Sequence, residues 1–529
     1  MRVGALLLGA LTLAGCSGGG SGGGGSKPVA PHTLAVFASD GKATLTWNLV
    51  PKATSYTLYW GTSSGVTPAT GTPIPSVLPP YTHTGLTNGT TYYYVVTALN
   101  SKGESPPSFE SNAQPLAGPG PFDPPWAAVS PLVTIPFNHD PLMTPSQNGA
   151  ALAAAIAALI PGDRLEISGG EYSLDPFFTI DLAGTAMAPI WIAAQSGELP
   201  TFTRPDALEN VVNIGTGSAA RYLVLEALEI SGGAIGVSIE DGENIWLNAN
   251  SINGTGGRGV AATTISTDSL YITRNTIRDT GGPGQGIALG APSGLFICTN
   301  SVIAQNQVYD CNGATGAGIQ ISQGSYGNWI VENLVHDCDW PCILLGGTDG
   351  NPINIVERNM TYRSGDNLIE VQSEALVQNN LMMNGLQGFT SRPTNDLVSD
   401  LTFIHNTIIN PGRGANLTGW NNRPGLVFAN NVVYSQTADA VRFVSGSTGV
   451  DVRGNVRLGN LVNVSATGFV TGIGLQDFVD VNWTATNRDA TPEGSGPIIG
   501  TGDALYALPV DITNAARVMP LEAGCFDAP

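Results

Sequence analysis

An asparagine followed two residues later by an apolar side chain recurs about every 25 residues through most of this chain. The clean copies start at Asn250, Asn275, Asn306, Asn333, Asn380, Asn406 and Asn431, and weaker copies start at Asn359 and Asn455. The successive gaps are 25, 31, 27, 26, 21, 26, 25 and 24 residues. A period of this size indicates stacked structural repeats. Such a stack offers one long lateral surface rather than a single deep cleft.

Within each repeat the residues favour short strands. A β-branched run precedes each asparagine, as in residues 328–332 before Asn333, and a second short run follows nine to thirteen residues later. Coils built this way stack at a strand spacing of about 4.8 Å. Asparagine suits the turn because it tolerates a left-handed backbone and its amide can bond to the next asparagine. A leucine-rich repeat has a similar period, but leucine is not dominant here and no coil carries a helix-length run. The pattern therefore predicts an all-β chain with a parallel β-helix.

Length and charge narrow the classes of function. The chain has 529 residues, enough for more than one domain, and only 12% of them are charged. The formal net charge is −20, and no basic stripe interleaved with aromatic residues offsets it, which argues against binding to nucleic acid. The acidic surface has two interpretations, attraction of divalent cations or plain solubility.

The first 26 residues carry an export pattern. Residues 1–14 form a short apolar stretch after Arg2, and the segment Leu13-Ala-Gly-Cys16 resembles the bacterial lipobox. That resemblance implies residues 1–16 as a signal peptide, Cys16 as a lipid anchor, and residues 17–27 as a flexible Gly/Ser tether. The expected location is that of an exported lipoprotein at the outer membrane or cell surface, in contact with the membrane through the lipid alone. The alternative is a plain secretory signal.

Residues 28–116 contain short alternating runs, which predict a β-sandwich. The stretch from Leu86 to Asn100 resembles the most recognisable part of a fibronectin type III domain, with Trp47 at the strand-B tryptophan and Tyr92 at the tyrosine corner. The resemblance implies a spacer or adhesion module without chemistry of its own. The proline-rich residues 117–136 are predicted to form a semi-rigid linker.

The remaining residues, 137–529, are predicted to form the β-helix domain. Its N-terminal cap, 145–210, contains one helix at 148–159, with Leu152, Ile156 and Leu159 on one face. Residues 161–194 resemble the opening of right-handed parallel β-helix proteins, among them alginate and chondroitin lyase-like proteins. Residues 211–460 are assigned to the coils and 461–529 to the C-terminal cap.

The coil alignment makes a prediction about cysteines. Cys311 and Cys338 each follow a repeat asparagine by five residues, so they should lie about 5 Å apart on neighbouring coils. An exported protein meets oxidising conditions, and a Cys311–Cys338 disulfide is therefore expected. The alternative pairs Cys338 with Cys342 and Cys298 with Cys311.

A row of acids follows from the same alignment. Asp279, Asp310 and Asp337 lie four residues past successive repeat asparagines, and Arg363 takes that place in the next coil. One interpretation is a Ca²⁺ site, since Ca²⁺ prefers oxygen ligands. The other is that aspartate recurs at this turn as a scaffold residue, which would leave the protein without a cofactor.

The segment from Glu370 to Arg392 breaks the repeat rhythm and loosely resembles the catalytic stretch of the alginate and chondroitin lyase group. In that group a lysine removes the proton beside a uronate carboxylate and an arginine assists. Arg392 falls near the arginine, whereas Gln372 or Ser373 falls where the lysine would be. No lysine occurs after residue 102, so a lyase would need an arginine base, for which Arg358, Arg363 and Arg392 are the candidates.

The sequence thus predicts a lipid-anchored, monomeric cell-surface β-helix protein that binds polysaccharide, or serves a structural or adhesive role, without catalysis. The alternative is a polysaccharide lyase that acts on uronate-containing glycans by β-elimination, with an arginine base and Ca²⁺. Adhesion to another cell or protein is equally compatible with the sequence.

Overall fold

A computed structural model describes residues 26–31, 34–39, 41–47, 50, 52–79, 81–115, 120–175, 177–394 and 397–528. The predicted signal peptide, the anchor residue Cys16 and most of the Gly/Ser tether lie outside these residues. Within the described ranges, no helix is both long and apolar enough to cross a membrane.

The N-terminal unit is a sandwich of two antiparallel sheets. One sheet comprises Ala35–Ser39, Lys42–Thr46 and Tyr81–Thr84, and the other comprises Thr72–Val77, Ser55–Gly61, Tyr92–Asn100, Gly103–Glu104 and Ser111–Ala113. Trp47 lies in the core at 1% exposure. The Tyr92 hydroxyl accepts a hydrogen bond from the Thr87 backbone N–H at 2.9 Å, as the tyrosine-corner prediction requires.

One α-helix, Pro145–Ala157, closes the N-terminal end of the solenoid. It starts three residues before the predicted start because Thr144 and Gln147 form a capping box that satisfies the first free N–H groups. Leu152 and Ile156 are buried, which confirms the predicted apolar face.

The rest of the chain winds into a parallel solenoid of about 12 turns with three flat faces. Sheet 1 comprises Val133–Phe137, Asp163–Ile167, Ile190–Ala194, Ala220–Glu226, Gly242–Asn248, Tyr271–Thr273, Val302–Ala304, Trp329–Val331, Asn354–Glu357, Ala375–Gln378, Leu401–Ile404, Val427–Ala429 and Asp451–Arg453, with Thr267–Asp268 and Cys298–Thr299 beside it.

Sheets 2 and 3 are parallel ladders. One long strand, Val432–Phe443, belongs to both and joins them. Sheet 2 comprises Gly170–Ser173, Pro200–Arg204, Glu229–Gly232, Ser251–Asn253, Thr276–Thr280, Gln307–Cys311, Leu334–Cys338, Met360–Ser364, Leu381–Met383, Thr407–Asn410, Asn455–Val462 and Phe469–Thr471. Sheet 3 comprises Thr179–Ile180, Val212–Ile214, Val237–Ile239, Val260–Ala262, Ile287–Leu289, Ile319–Ile321, Ile343–Leu345, Asn367–Val371, Gln387–Ser391 and Arg413–Leu417.

The repeat asparagines form a continuous ladder inside the corner between sheets 1 and 2. Asn306 donates both its backbone N–H and its side-chain N–H to Asn333 Oδ1, each at 3.0 Å, and its second side-chain hydrogen to the Ile272 carbonyl at 2.8 Å. The same bonds to the next asparagine repeat from Asn250 to Asn455, including the copies that look weak in sequence. The residue before each ladder asparagine is left-handed, as with Glu332 at φ 54°, so the chain bends sharply there.

The segment predicted as a linker packs against sheet 1. Phe122 lies edge-on to Trp329 at a ring-centroid distance of 5.4 Å, and Trp126 lies edge-on to Trp246 at 6.2 Å. Asp123 pairs with Arg274. Because these rings and charges are fixed on the solenoid, the residues from 120 onward are not a free spacer.

The C-terminal segment returns over sheet 2. After a short 3-10 helix, Leu475–Asp477, the antiparallel strands Phe478–Val481 and Arg488–Pro492 cover outward apolar side chains of sheet 2 such as Ile409 and Tyr434. A second 3-10 helix, Ala504–Tyr506, reaches the corner between sheets 1 and 2.

His405 fastens this segment at the corner. Its imidazole is fully buried, with Nδ1 at 3.2 Å from the Gly524 carbonyl and Nε2 at 3.0 Å from the Tyr506 carbonyl. Burial, followed by the charge of Arg517, lowers the pKa of His405 well below its ordinary value. The pKa of the nearby Glu522 carboxyl shifts in the opposite direction. Burial and the charge of Asp527 raise this pKa to about 7.

We predict that Asn333→Asp lowers the free energy of unfolding by about 2–4 kcal/mol, because a carboxylate oxygen would face the carbonyl oxygens that the amide now bonds. Chemical denaturation monitored by circular dichroism measures the change. Asn312→Asp is the matched control on an exposed asparagine and should have little effect. Equal stability of both variants would contradict the structural role of the ladder.

We also predict opposite pH dependences for His405→Asn and Glu522→Gln. The unfolded chain protonates His405 below pH 6.5, whereas the folded chain keeps it neutral. The free energy of unfolding of the wild type therefore falls by up to about 1.4 kcal/mol for each pH unit of acidification. The difference in stability between wild type and His405→Asn should therefore narrow as the pH falls.

Folded Glu522 holds its proton up to about pH 7, so Glu522→Gln should gain stability relative to wild type as the pH rises from 4.5 to 7. Denaturation at pH 5.0, 6.0 and 7.5 distinguishes the two, and parallel curves for all three proteins would refute both assignments.

Candidate functional site

Outward-facing side chains at the middle of successive sheet 3 strands form one line along the solenoid, here called the sheet 3 strip. Its members are Gln320, Leu344, Glu370, Thr390, Asn416 and Arg442, which the strand register aligns. Neighbouring members stand one coil apart, about 4.8 Å. The line changes from neutral to charged at Glu370, where the sequence rhythm also changes.

Glu370 and Arg392 meet at this point. The Glu370 carboxylate is 1% exposed and accepts a hydrogen bond from Arg392 Nη2 at 3.0 Å and one from Asn367 Nδ2 at 2.7 Å. The Arg392 side chain is 59% exposed, so one face of its guanidinium group is held by a buried carboxylate while the rest faces solvent. The structure thus brings together two of the residues that the sequence singled out.

A polar network joins the two coils of this pair to one further coil. Asn367 Oδ1 accepts from Gln387 Nε2 at 3.0 Å and from Thr390 Oγ1 at 2.9 Å, and Gln387 Oε1 accepts from Arg413 Nη1 at 3.2 Å. Beyond it, Arg442 carries a buried Nε that has no hydrogen-bond partner among the described residues. The strip therefore has fixed polar groups at its middle and an unsatisfied donor at its Arg442 end.

A shallow cavity of about 170 Å³ borders the strip on the loops that follow sheet 3. Gln320, Gln323, Gln372 and Thr394 contribute its polar lining. Gln372 stands where the resemblance expects a catalytic lysine, and its amide cannot take up a proton at ordinary pH. Ser373 is fully buried and donates to the Leu397 carbonyl at 3.2 Å, so it is not directed to the surface.

The other two arginine candidates lie elsewhere and are held as cations. Arg363 bonds Asp337 through Nε at 2.7 Å, and this hydrogen bond raises the pKa of Arg363. Burial opposes the charge of Arg358, but the carboxylates of Glu357 and Glu332 outweigh it and raise its pKa. A raised pKa is unfavourable for a base, which must lose its proton first.

The predicted acid row is in place but is not assembled as a metal centre. Asp279, Asp310 and Asp337 share a left-handed backbone, with φ of 54°, 51° and 53°. Asp279 pairs with Arg278, and Asp337 with Arg363 and His336. Over the described part of the chain, no group of three or more His, Cys, Asp or Glu side chains could hold a metal ion. Aspartate tolerates the left-handed region, as the scaffold interpretation expects.

Sequence reasoning missed an aromatic stack on sheet 2. The His336 ring lies between Tyr309 and Tyr362, at centroid distances of 5.0 and 4.5 Å and interplanar angles of 11° and 9°. Arg488 of the C-terminal segment covers the far face of Tyr362 at 4.2 Å. These residues share one position of successive coils, so the coil period contained the signal for this stack.

A second, shorter amide ladder was also missed. Asn328 donates its backbone and side-chain N–H groups to Asn354 Oδ1, each at 3.0 Å, and Ser301 donates its backbone N–H to Asn328 Oδ1. The 26-residue interval between the two asparagines matches the coil period and could have revealed the ladder.

The disulfide prediction requires correction. Cys311 and Cys338 do face each other on neighbouring coils, in register within sheet 2. Both are free thiols in the structure, as are Cys298, Cys342 and Cys525. Cys342 joins the pair inside the core, and hydrogen bonds from Cys311 and Cys342, with burial, raise the pKa of Cys338 well above its ordinary value. Buried protonated thiols are poor nucleophiles and are shielded from oxidants.

One family model and several solved structures match parts of the chain. Residues 209–360 match the model of the family described as the right handed beta helix region. The chain is similar to the alginate lyase from Paenibacillus sp. str. FPU-7, at 17% identity over 64% of this chain and 98% of that chain, with a TM-score of 0.38. It is similar to the pectate lyase Pel9A, at 15% identity over 76% of this chain and 98% of that chain, with a TM-score of 0.43.

For the N-terminal sandwich, an Fn3-like protein from Clostridium thermocellum is 36% identical over 17% of this chain and 94% of that chain, with a TM-score of 0.15. No curated protein matches the chain. The family match and the structure confirm the prediction of an all-β protein with a right-handed parallel β-helix.

We predict that the five cysteines from Cys298 onward stay unmodified when the native protein is treated with a thiol-alkylating reagent. All five should react after denaturation without a reductant, because each is buried and free. Intact-mass spectrometry counts the added groups. Three added groups, with two thiols recovered only after reduction, would show that one disulfide is present, and peptide mapping would then decide between Cys311–Cys338 and the alternative pairings.

Proposed function

We propose that the protein binds an anionic polysaccharide along the sheet 3 strip without cleaving it. The observation that carries the proposal is the exposed guanidinium group of Arg392, held in place by the buried carboxylate of Glu370. A cation fixed in this way loses little side-chain entropy when it meets a ligand.

The charge of the strip supports an acidic ligand. Arg392, Arg413 and Arg442 lie on successive coils, against the carboxylates of Glu370 and Asp439, which is a local excess of positive charge on a protein of net charge −20. Guanidinium groups bind carboxylates through two parallel hydrogen bonds. A polymer with a carboxylate on each sugar could contact several of these arginines along the solenoid.

The same geometry argues against β-elimination. The reaction needs a group that accepts a proton from the sugar carbon and a cation that offsets the uronate charge. Arg392 can supply the cation, but the neighbouring position carries the Gln372 amide. The lyase with an arginine base and Ca²⁺ therefore stays the alternative and is decided by experiment.

The proposal places this binding surface outside the cell. From the lipobox-like sequence we propose that the protein is exported, lipidated at Cys16 and attached at the outer membrane or cell surface. The domain bounds predicted from the sequence are part of the same proposal. A flexible tether would then let the solenoid reach glycans some distance from the membrane.

We expect Arg392→Ala to weaken binding to alginate or polygalacturonate by about ten- to a hundredfold, because a charge-assisted hydrogen bond contributes roughly 1.5–3 kcal/mol. Isothermal titration calorimetry on the full chain measures the change. Arg278→Ala is the control, an ion-paired and partly exposed arginine on sheet 2. Unchanged affinity in Arg392→Ala would remove the strip as the binding surface.

The same samples decide between binding and cleavage. Ultraviolet absorbance of unsaturated sugar ends is followed with and without added Ca²⁺, and the wild type is expected to produce none. Steady product formation that disappears in Arg392→Ala would overturn the non-catalytic proposal in favour of the lyase.

A further inference from the structure

A separate cleft of about 440 Å³ lies between the N-terminal sandwich and sheet 1, on a different face of the solenoid from the sheet 3 strip. Residues 111–114 of the sandwich, with Leu34 and Val36, form one wall, and residues of seven solenoid coils form the other. Volumes of this size are typical of small-ligand sites. The docked residues Phe122 and Asp123 line the cleft as well, so the segment that joins the two domains also holds its walls in place.

The solenoid wall is built from a row of left-handed residues. Tyr222, Asn244, Ser269 and Asn300 occupy the same position in successive coils, with φ of 48°, 55°, 55° and 50°. A left-handed backbone is costly for most residues and is best tolerated by asparagine and aspartate. The row presents an aromatic ring, two amides and a hydroxyl to the cleft at intervals of one coil.

Aromatic rings form the floor beside this row. Tyr271 and Trp329 face outward from sheet 1 and line the cleft with Tyr222. The face of an aromatic ring carries partial negative charge and packs well against the C–H groups of a pyranose. Flat apolar surface next to fixed amides is the combination that suits a sugar ring.

Several polar groups of the cleft have hydrogen-bond donors or acceptors that no other described residue occupies. Among the described residues, the Asn112 side-chain amide bonds no protein group, and Asn300 uses its Nδ2 on Asp268 at 2.7 Å while its Oδ1 accepts no hydrogen bond. An amide offers a donor and an acceptor side by side, which matches a pair of neighbouring hydroxyl groups. Asn112 belongs to the sandwich and Asn300 to the solenoid, so they face the cleft from opposite walls.

The lining is almost free of charge. Asp123 is the charged residue of the lining, and it is paired with Arg274. Burying an ionised ligand without an opposite charge would be costly, whereas hydroxyl groups exchange water for amides at little cost. The electrostatics therefore separate this cleft from the arginine-rich sheet 3 strip.

We propose that this cleft binds an uncharged oligosaccharide, as a second glycan site independent of the sheet 3 strip. The type III domain is then part of a binding site rather than a spacer alone. With one site on sheet 1 and another on sheet 3, one molecule could hold two different glycans at once.

The test uses the full chain and four uncharged probes: cellohexaose, xylohexaose, mannohexaose and galactohexaose. Saturation-transfer NMR and calorimetry are expected to detect binding of at least one probe. Asn112→Ala and Asn300→Gly should each weaken it about five- to tenfold, since each removes hydrogen bonds to the ligand. Glycine is chosen at residue 300 because it keeps the left-handed backbone without strain.

Controls keep this proposal apart from the anionic site. Asn312→Ala, on an exposed asparagine outside the cleft, should leave the affinity unchanged, and so should Arg392→Ala. Unfolding curves that match the wild type are required of each variant. Failure of all four probes to bind, or equal affinity in the wild type, Asn112→Ala and Asn300→Gly, would overturn the proposal. Alginate binding by the same variants reports separately on the sheet 3 strip.

Discussion

The hydrogen-bonded asparagine ladder is the constraint on which the rest of the structure depends. Each ladder side chain links three neighbouring coils in a place that water does not reach: Asn306, for example, bonds the backbone at Ile272 and Asn275 on one side and the side-chain oxygen of Asn333 on the other. A buried amide with its bonds complete stabilises the fold, whereas one out of register would leave several polar groups unpaired. The ladder therefore fixes the register of the coils, and the register in turn aligns every outward side chain into lines one coil apart.

Those lines give the three faces different roles. Apolar and aromatic side chains on sheet 1 are covered by the docked segment with Phe122 and Trp126, and those on sheet 2 by the C-terminal segment. Such covers prevent large apolar patches from reaching solvent. Sheet 3 carries the polar strip around Glu370 and Arg392 instead, and this contrast is the structural reason for proposing that an anionic glycan binds on that face.

The parts of the site that follow the coil period were open to prediction from sequence. The neighbouring positions of Cys311 and Cys338 and the alignment of the aspartates follow from counting residues. The bond between Glu370 and Arg392 does not follow, because it depends on how far two side chains of different coils extend and on what else they meet. The state of the cysteines was likewise beyond counting, since closeness alone does not decide whether two thiols join.

The sequence by itself determined the solenoid. Asparagines that recur with the coil period at left-handed corners satisfy the buried backbone groups only when the coils are stacked. It also determined that no lysine lies after residue 102. Only the tertiary structure decided that Arg392 is exposed and that Arg358 is buried between carboxylates. It also decided that the predicted linker joins the sandwich and the solenoid around a cleft. These outcomes arise from side-chain contacts between different coils or domains, from 22 positions apart for Glu370 and Arg392 to 151 for Asp123 and Arg274, which no local pattern encodes.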